Sequence, residues 1–175
     1  MWLFLPLLAV LVLDFATKYW ATHGLAGLPD GRMEVIPGFL DFFLRHNTGA
    51  AFSMLDRHPM VILVVASVAV VLILGWALRI PREARLARAC FGMILGGAIG
   101  NLYDRIAFGH VIDFVHFHRG DWYFATFNVA DSFICVGIAI FLYLSLFTRQ
   151  LDTPKPAEPA LPQPSEQDGT GQPKG

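Results

Sequence analysis

The chain has 175 residues, of which 55% are hydrophobic and only 15% charged, whereas about a quarter of the residues in soluble domains are charged. Its 13 Lys and Arg stand against 14 Asp and Glu, for a net charge of -1, so the basic stripe that nucleic-acid binding needs is missing. Four helices of about 20 residues would cross a hydrocarbon layer of about 30 Å and leave room for connections but no separate catalytic domain. Any chemistry then belongs at or in the bilayer. The two cysteines, Cys90 and Cys135, lie inside apolar runs and read as packing residues, too few for a disulfide scaffold or a four-thiolate zinc site.

The first apolar run extends from Met1 to Leu13, is broken by Asp14 and Lys18, and resumes at Tyr19, Trp20 and Ala21. No basic residue precedes it and no small-x-small cleavage pattern follows, so it reads as a retained span over about 1–21 rather than a signal peptide. Next, Pro29-Asp30-Gly31 precedes two short aromatic or β-branched runs split by Pro37-Gly38, which predicts a small sheet on the membrane surface. The clearest span covers 60–78, where only Ser67 and Gly75 are not apolar.

The connection that follows carries Arg79, Arg82, Arg85 and Arg88 against the single acid Glu83. Short Arg-rich loops stay in the cytoplasm, which puts both termini inside and segments 22–59 and 106–127 outside. A third span over about 88–105 places Gly92, Gly96 and Gly100 on one face, where small residues let a neighbouring helix approach closely. From 110 to 118 the sequence alternates, with Val111, Asp113, Val115 and Phe117 expected on one side of a strand and His110, His116 and His118 on the other. Trp122 and Tyr123 suit the outer interfacial belt. A fourth span is expected over 128–148. The segment 151–175 holds six of the 11 prolines and reads as a disordered cytoplasmic tail. The fold expected is an all-α, four-transmembrane-helix bundle over 1–150 with a small extracytoplasmic β-sheet.

Ionisable groups within a bilayer are costly and mark function by default. The candidates are Asp14, Lys18, Asp104, Arg105 and Asp131, with Asn47, Asn101 and Asn128 as polar companions. At 1.5 Å per helical residue, Asp14, Asn101 and Asp131 all stand about 20–27 Å above the cytoplasmic end, so three spans deliver polar groups to one level in the outer half of the layer. Asp14 with Lys18, Asn101 with Arg105, and Asn128 with Asp131 each share a helix face. For Asp14 and Lys18 an internal ion pair competes with a direct role. Asn101 and Arg105 can anchor an outer loop or a lipid phosphate. Asp131 has no basic residue within a helical turn, which favours a functional carboxylate.

Asp113 supplies a second carboxylate from the outer segment. Two carboxylates in one site hold a single proton between them, a state that can activate water with one member and protonate a peptide carbonyl with the other. The competing constellation, His110, Asp113, His116 and His118, has residue types that suit zinc, although a strand would point Asp113 away from the histidines. A proton-coupled carrier using buried aspartates is a further alternative.

Five stretches together resemble, in order, the motifs of the bacterial lipoprotein signal peptidase family, also called signal peptidase II. They are Asp14-Phe15-Ala16-Thr17-Lys18; His46-Asn47-Thr48-Gly49-Ala50-Ala51-Phe52-Ser53; Gly96-Gly97-Ala98-Ile99-Gly100-Asn101-Leu102-Tyr103-Asp104-Arg105; Val111-Ile112-Asp113-Phe114; and Phe127-Asn128-Val129-Ala130-Asp131-Ser132. The resemblance covers about 1–148. It implies a monomeric aspartic endopeptidase of the bacterial inner membrane, without metal or other cofactor, whose site lies near the extracytoplasmic face among membrane lipids. Asp113 and Asp131 fall on the family's catalytic positions. Asn47, Asn101, Arg105 and Asn128 fall on substrate-binding or site-ordering positions, and Asp14 and Lys18 on structural ones. The implied substrate is a diacylglyceryl-modified prolipoprotein, cut on the amino side of the lipidated cysteine.

Overall fold

The computed structural model describes residues 1–49 and 59–147. Residues 50–53 of the second motif and the expected tail at 151–175 lie outside the described residues. Four long apolar helices carry the fold: α1 (Phe4–Gly24), α2 (Pro59–Arg79), α3 (Arg85–Phe108) and α4 (Val129–Phe147). Each is long and apolar enough to cross a membrane. Strands β1 (Arg32–Ile36), β2 (Leu40–Asn47), β3 (Val111–Arg119) and β4 (Trp122–Tyr123) form one antiparallel sheet in the order β1-β2-β3-β4.

Helix α3 is the most enclosed of the four and packs against all three others. It can do so because its small residues face two ways. A Cβ on Gly96 would lie 2.7 Å from the Leu7 carbonyl oxygen of α1, and one on Gly97 would lie 2.5 Å from the Ala130 carbonyl oxygen of α4. The Gly92, Gly96, Gly100 face thus meets α1, while Gly97 admits α4. The helix ends at Gly109, whose φ of +77° suits a residue without Cβ and whose N–H reaches the Arg105 carbonyl at 3.2 Å.

The two ends of the bundle differ in chemistry. At the end bearing the arginine connection, Leu3, Ala77, Ile80, Ala84, Ala87, Phe91 and Leu95 form an apolar cluster. At the other end, Ala21 and Leu25 pack against Phe114, with Met33, Phe42 and Leu44 around them, which seats the sheet on the end of α1.

Helix limits depart from the sequence-based ones for local reasons. Arg85 and Arg88 belong to α3 rather than to the preceding loop, and Arg88 donates to the Ile80 carbonyl at 2.7 Å, closing the turn between α2 and α3. Helix α1 begins at Phe4 and continues to Gly24, and α4 begins one residue after Asn128. The strand expected at 110–118 is present as β3, and its first four residues are buried on both faces. Val111, Ile112, Asp113 and Phe114 are all buried, because this central strand is covered on one edge by β2 and on its faces by the ends of α1 and α3.

Candidate active site

The first turn of α4 sets one side of the site. Asn128 immediately precedes the helix, and its Oδ1 accepts the Asp131 backbone N–H at 2.9 Å, while Asp131 Oδ2 accepts the Asn128 backbone N–H at 3.3 Å. This reciprocal pair is a capping box with aspartate in the third helical position. It fixes the Asp131 side chain at the positive end of a helix, where a carboxylate is favoured. The other Asp131 oxygen, Oδ1, accepts the Asn101 amide of α3 at 2.7 Å.

Asp113 approaches from β3. Its Oδ2 accepts the Asn47 amide at 2.9 Å and its Oδ1 accepts the Asn128 amide at 2.8 Å. Register explains the first contact, since Asn47 pairs with Val111 and His46 with Ile112, bringing the end of β2 beside Asp113. Asn128 therefore touches both aspartates: its amide donates to Asp113 and its carbonyl oxygen holds the Asp131 N–H. Burial pushes the Asp113 carboxyl up to about 6 against the pull of the Asn47 amide, and the Asp131 charge adds to the rise. A buried carboxyl facing a second carboxylate is a group prepared to hold a proton.

Behind the pair lies a buried ionic network. Lys18 Nζ sits 2.7 Å from Asp14 Oδ2 and 2.8 Å from Asp104 Oδ2, and donates to Asn101 Oδ1 at 3.0 Å. Asp14 Oδ1 accepts the Ala130 backbone N–H at 3.0 Å, and Asp104 Oδ2 accepts the Ile112 N–H at 3.2 Å. The network thus joins α1, α3, β3 and α4, with Asp14 Oδ2 held by the Lys18 charge rather than by a hydrogen bond.

Arg105 donates to the Asn101 carbonyl at 3.1 Å, with the carboxylates of Asp131, Asp113 and Asp104 in electrostatic range. It also borders a cavity of about 320 Å³ lined by Thr48, Met60, Ile62, Leu63 and Ile106. Among its described lining residues Arg105 is the cation and Thr48 the other polar side chain, and a largely apolar cleft with a cation at its border suits an amphiphilic guest.

The nine polar residues weighed from the sequence, Asp14, Lys18, Asn47, Asn101, Asp104, Arg105, Asp113, Asn128 and Asp131, all meet at this end of the bundle. Asp104, named there without a role, joins the lysine network. The histidines separate instead of converging. His110 rests against His46, with ring centroids 4.3 Å apart, while His116 and His118 stack farther along β3. Burial and the His110 ring hold His46 below the usual imidazole range. His118 Nε2 lies 2.9 Å from Asp41, which also pairs with Arg32. That buried Asp41 clasp joins β1, β2 and β3. An acid within the apolar β2 run gave no hint of it. No group of three or more His, Cys, Asp or Glu side chains able to hold a metal occurs among the described residues.

Comparison with known proteins decides the family. Residues 7–147 match the family model described as signal peptidase (SPase) II. The chain belongs to the signal peptidase II family. It is 40% identical over 152 residues to a lipoprotein signal peptidase of Coxiella burnetii, covering 84% of this chain and 90% of that one. To the lipoprotein signal peptidase of Ectopseudomonas mendocina it is 42% identical over 151 residues, with coverages of 83% and 87%. A solved bacterial membrane enzyme, obtained by the in meso method, superposes with a TM-score of 0.70 at 25% identity, over 81% of this chain and 85% of its own. Another, obtained the same way, gives 0.71 at 24% identity, with coverages of 82% and 91%, and supports the fold. Signal peptidase II is a protease family, so this four-helix membrane protein is an enzyme with peptide-bond hydrolysis as its activity. The polar end of the bundle is the candidate for where that activity resides.

Proposed function

We propose that the chain is an aspartic endopeptidase that removes signal peptides from diacylglyceryl-modified prolipoproteins, cutting on the amino side of the lipidated cysteine. The observation that carries this reading is the joint hold of Asn128 on Asp113 and Asp131. Asp113, raised to about 6, holds the proton, and Asp131 at the start of α4 serves as the base.

Asp131 takes a proton from water as the water oxygen bonds to the scissile carbonyl carbon, and Asp113 gives its proton to the carbonyl oxygen. The gem-diol collapses as the C–N bond breaks. Asp131 then protonates the leaving nitrogen, and a hydroxyl proton of the gem-diol returns to Asp113. Each carboxyl ends as it began.

The enzyme works as a monomer in the bacterial inner membrane. The arginine connection lies in the cytoplasm with both termini, and the site opens toward the extracytoplasmic leaflet. Asn47, Asn101 and Asn128 order the aspartates. Arg105 and the cleft beside it receive the polar ester region and the adjoining chain of the diacylglyceryl group, which is anchored at that same level.

The test is a gel-shift assay of purified protein with two forms of one prolipoprotein, diacylated and non-lipidated, in the presence of a chelator. The diacylated form is expected to shift completely while the other remains intact. Equal cleavage of both would remove the lipid from the specificity, and loss of cleavage restored only by zinc would return the mechanism to the histidines. Solute transport in liposomes with the prolipoprotein left intact would favour the carrier.

A further inference from the structure

Lys18 does not touch either aspartate of the proposed pair, yet each of its three partners controls one of them. Its ammonium has three hydrogens and no acceptor. Asp14 Oδ2, Asp104 Oδ2 and Asn101 Oδ1 lie within 2.7, 2.8 and 3.0 Å of it.

Asp14 uses its other oxygen to hold the N–H of Ala130, the residue before Asp131. Asp104 holds the N–H of Ile112, the residue before Asp113. Asn101 is oriented by the same cation. An amide facing an ammonium must present its oxygen, so its nitrogen is left to donate to Asp131 Oδ1 at 2.7 Å. Asn128 reinforces that orientation by donating to Asn101 Oδ1 at 3.1 Å. The Lys18 side chain is 3% exposed and the Asp14 side chain 0%, so water does not compete for these bonds.

We infer that Lys18 is a positioning residue that sets the mutual placement of Asp113 and Asp131 through Asp14, Asp104 and Asn101. A single cation draws together the two carboxylates that fix the backbone beside each aspartate, and it also sets the amide that contacts one of them. This role rests on the reading of Asp113 and Asp131 as the hydrolytic pair and adds a third level to it. A purely structural ion pair would hold α1 against α3 without acting on the reaction.

The test compares Lys18→Met with the charge-balanced triple variant Lys18→Met, Asp14→Asn, Asp104→Asn. Lys18→Met alone leaves buried carboxylates without their cation and is expected to unfold readily. The triple variant has no such excess charge, and both asparagines keep an oxygen to accept the Ala130 and Ile112 N–H groups. It is expected to keep the wild-type melting transition while kcat for a diacylated prolipoprotein falls about 100-fold, the scale of a small misplacement of reacting groups, with KM within twofold. Wild-type kcat in the folded triple variant would overturn the proposal. Loss of its melting transition would overturn it too, since Lys18 would then act on folding even with the charges balanced. Asp113→Asn and Asp131→Asn run alongside: if either cleaves normally, the hydrolytic reading itself fails, whatever the Lys18 variants do.

Discussion

Replacing either Asp113 or Asp131 by asparagine is expected to lower kcat for a diacylated prolipoprotein by about 10³–10⁴-fold, the upper part of the range for a positioned acid or base. The folded state should survive both changes. In Asp113→Asn one amide oxygen can still accept from Asn47 or Asn128, and a neutral amide replaces a carboxyl that burial already drives toward its neutral form. Its amide nitrogen meets the remaining donor, a mismatch of about 1–3 kcal/mol. In Asp131→Asn the oxygen can keep either the Asn101 amide or the Asn128 backbone N–H, again at the expense of the other. Melting temperatures close to wild type together with lost cleavage would separate chemistry from folding. Cleavage by either variant at a rate near wild type would remove that aspartate from the reaction.

A large effect on folding is also expected from Gly97→Ala. The new Cβ would stand 2.5 Å from the Ala130 carbonyl oxygen and 2.7 Å from Ile134 Cγ1. The nearest atom belongs to the α4 backbone, so no side-chain rotation relieves the contact and the helices must separate. Overpacking of this kind costs about 1–3 kcal/mol. Because Ala130 is tied to Asp14 and is followed by Asp131, the same displacement should lower kcat. Gly75→Ala in α2 is the control. A Cβ there meets nothing within 4 Å, and alanine is favoured over glycine in a helix by about 1 kcal/mol, so its melting temperature should be unchanged or higher. If Gly97→Ala melts and cleaves like Gly75→Ala, the close approach of α3 and α4 is not what places Asp131.

Apolar run length made the four spans legible in the sequence, and turn residues such as Pro37-Gly38 marked the break between β1 and β2. Local spacing paired Asp14 with Lys18 and Asn128 with Asp131, because a helix brings residues three and four apart together whatever surrounds it, but that the second pair is a helix cap came only from the structure. Contacts between distant segments were not legible. Lys18 to Asp104 depends on how α1 packs on α3, and Asn47 to Asp113 depends on the β2–β3 register. That both faces of β3 are buried at its start was not legible for the same reason, since it depends on the packing of β2, α1 and α3 around the strand. The candidate site residues were gathered from helix depth, side-chain type and family resemblance. None of these reveals that one lysine reaches the backbone supports of both aspartates.

In the proposed mechanism Asp113 and Asp131 share one proton, carried by Asp113. Infrared difference spectroscopy across pH 4 to 8 tests it most directly, with the protonated carboxyl band of Asp113 assigned by its absence in Asp113→Asn. Because burial and the Asp131 charge raise this group, its band should persist above the ordinary carboxylate range and disappear as pH rises through about 6. Cleavage should decline along the same alkaline limb as Asp113 loses the proton it must donate. An Asp113 already ionised by pH 5, in protein that still cleaves, would contradict the account.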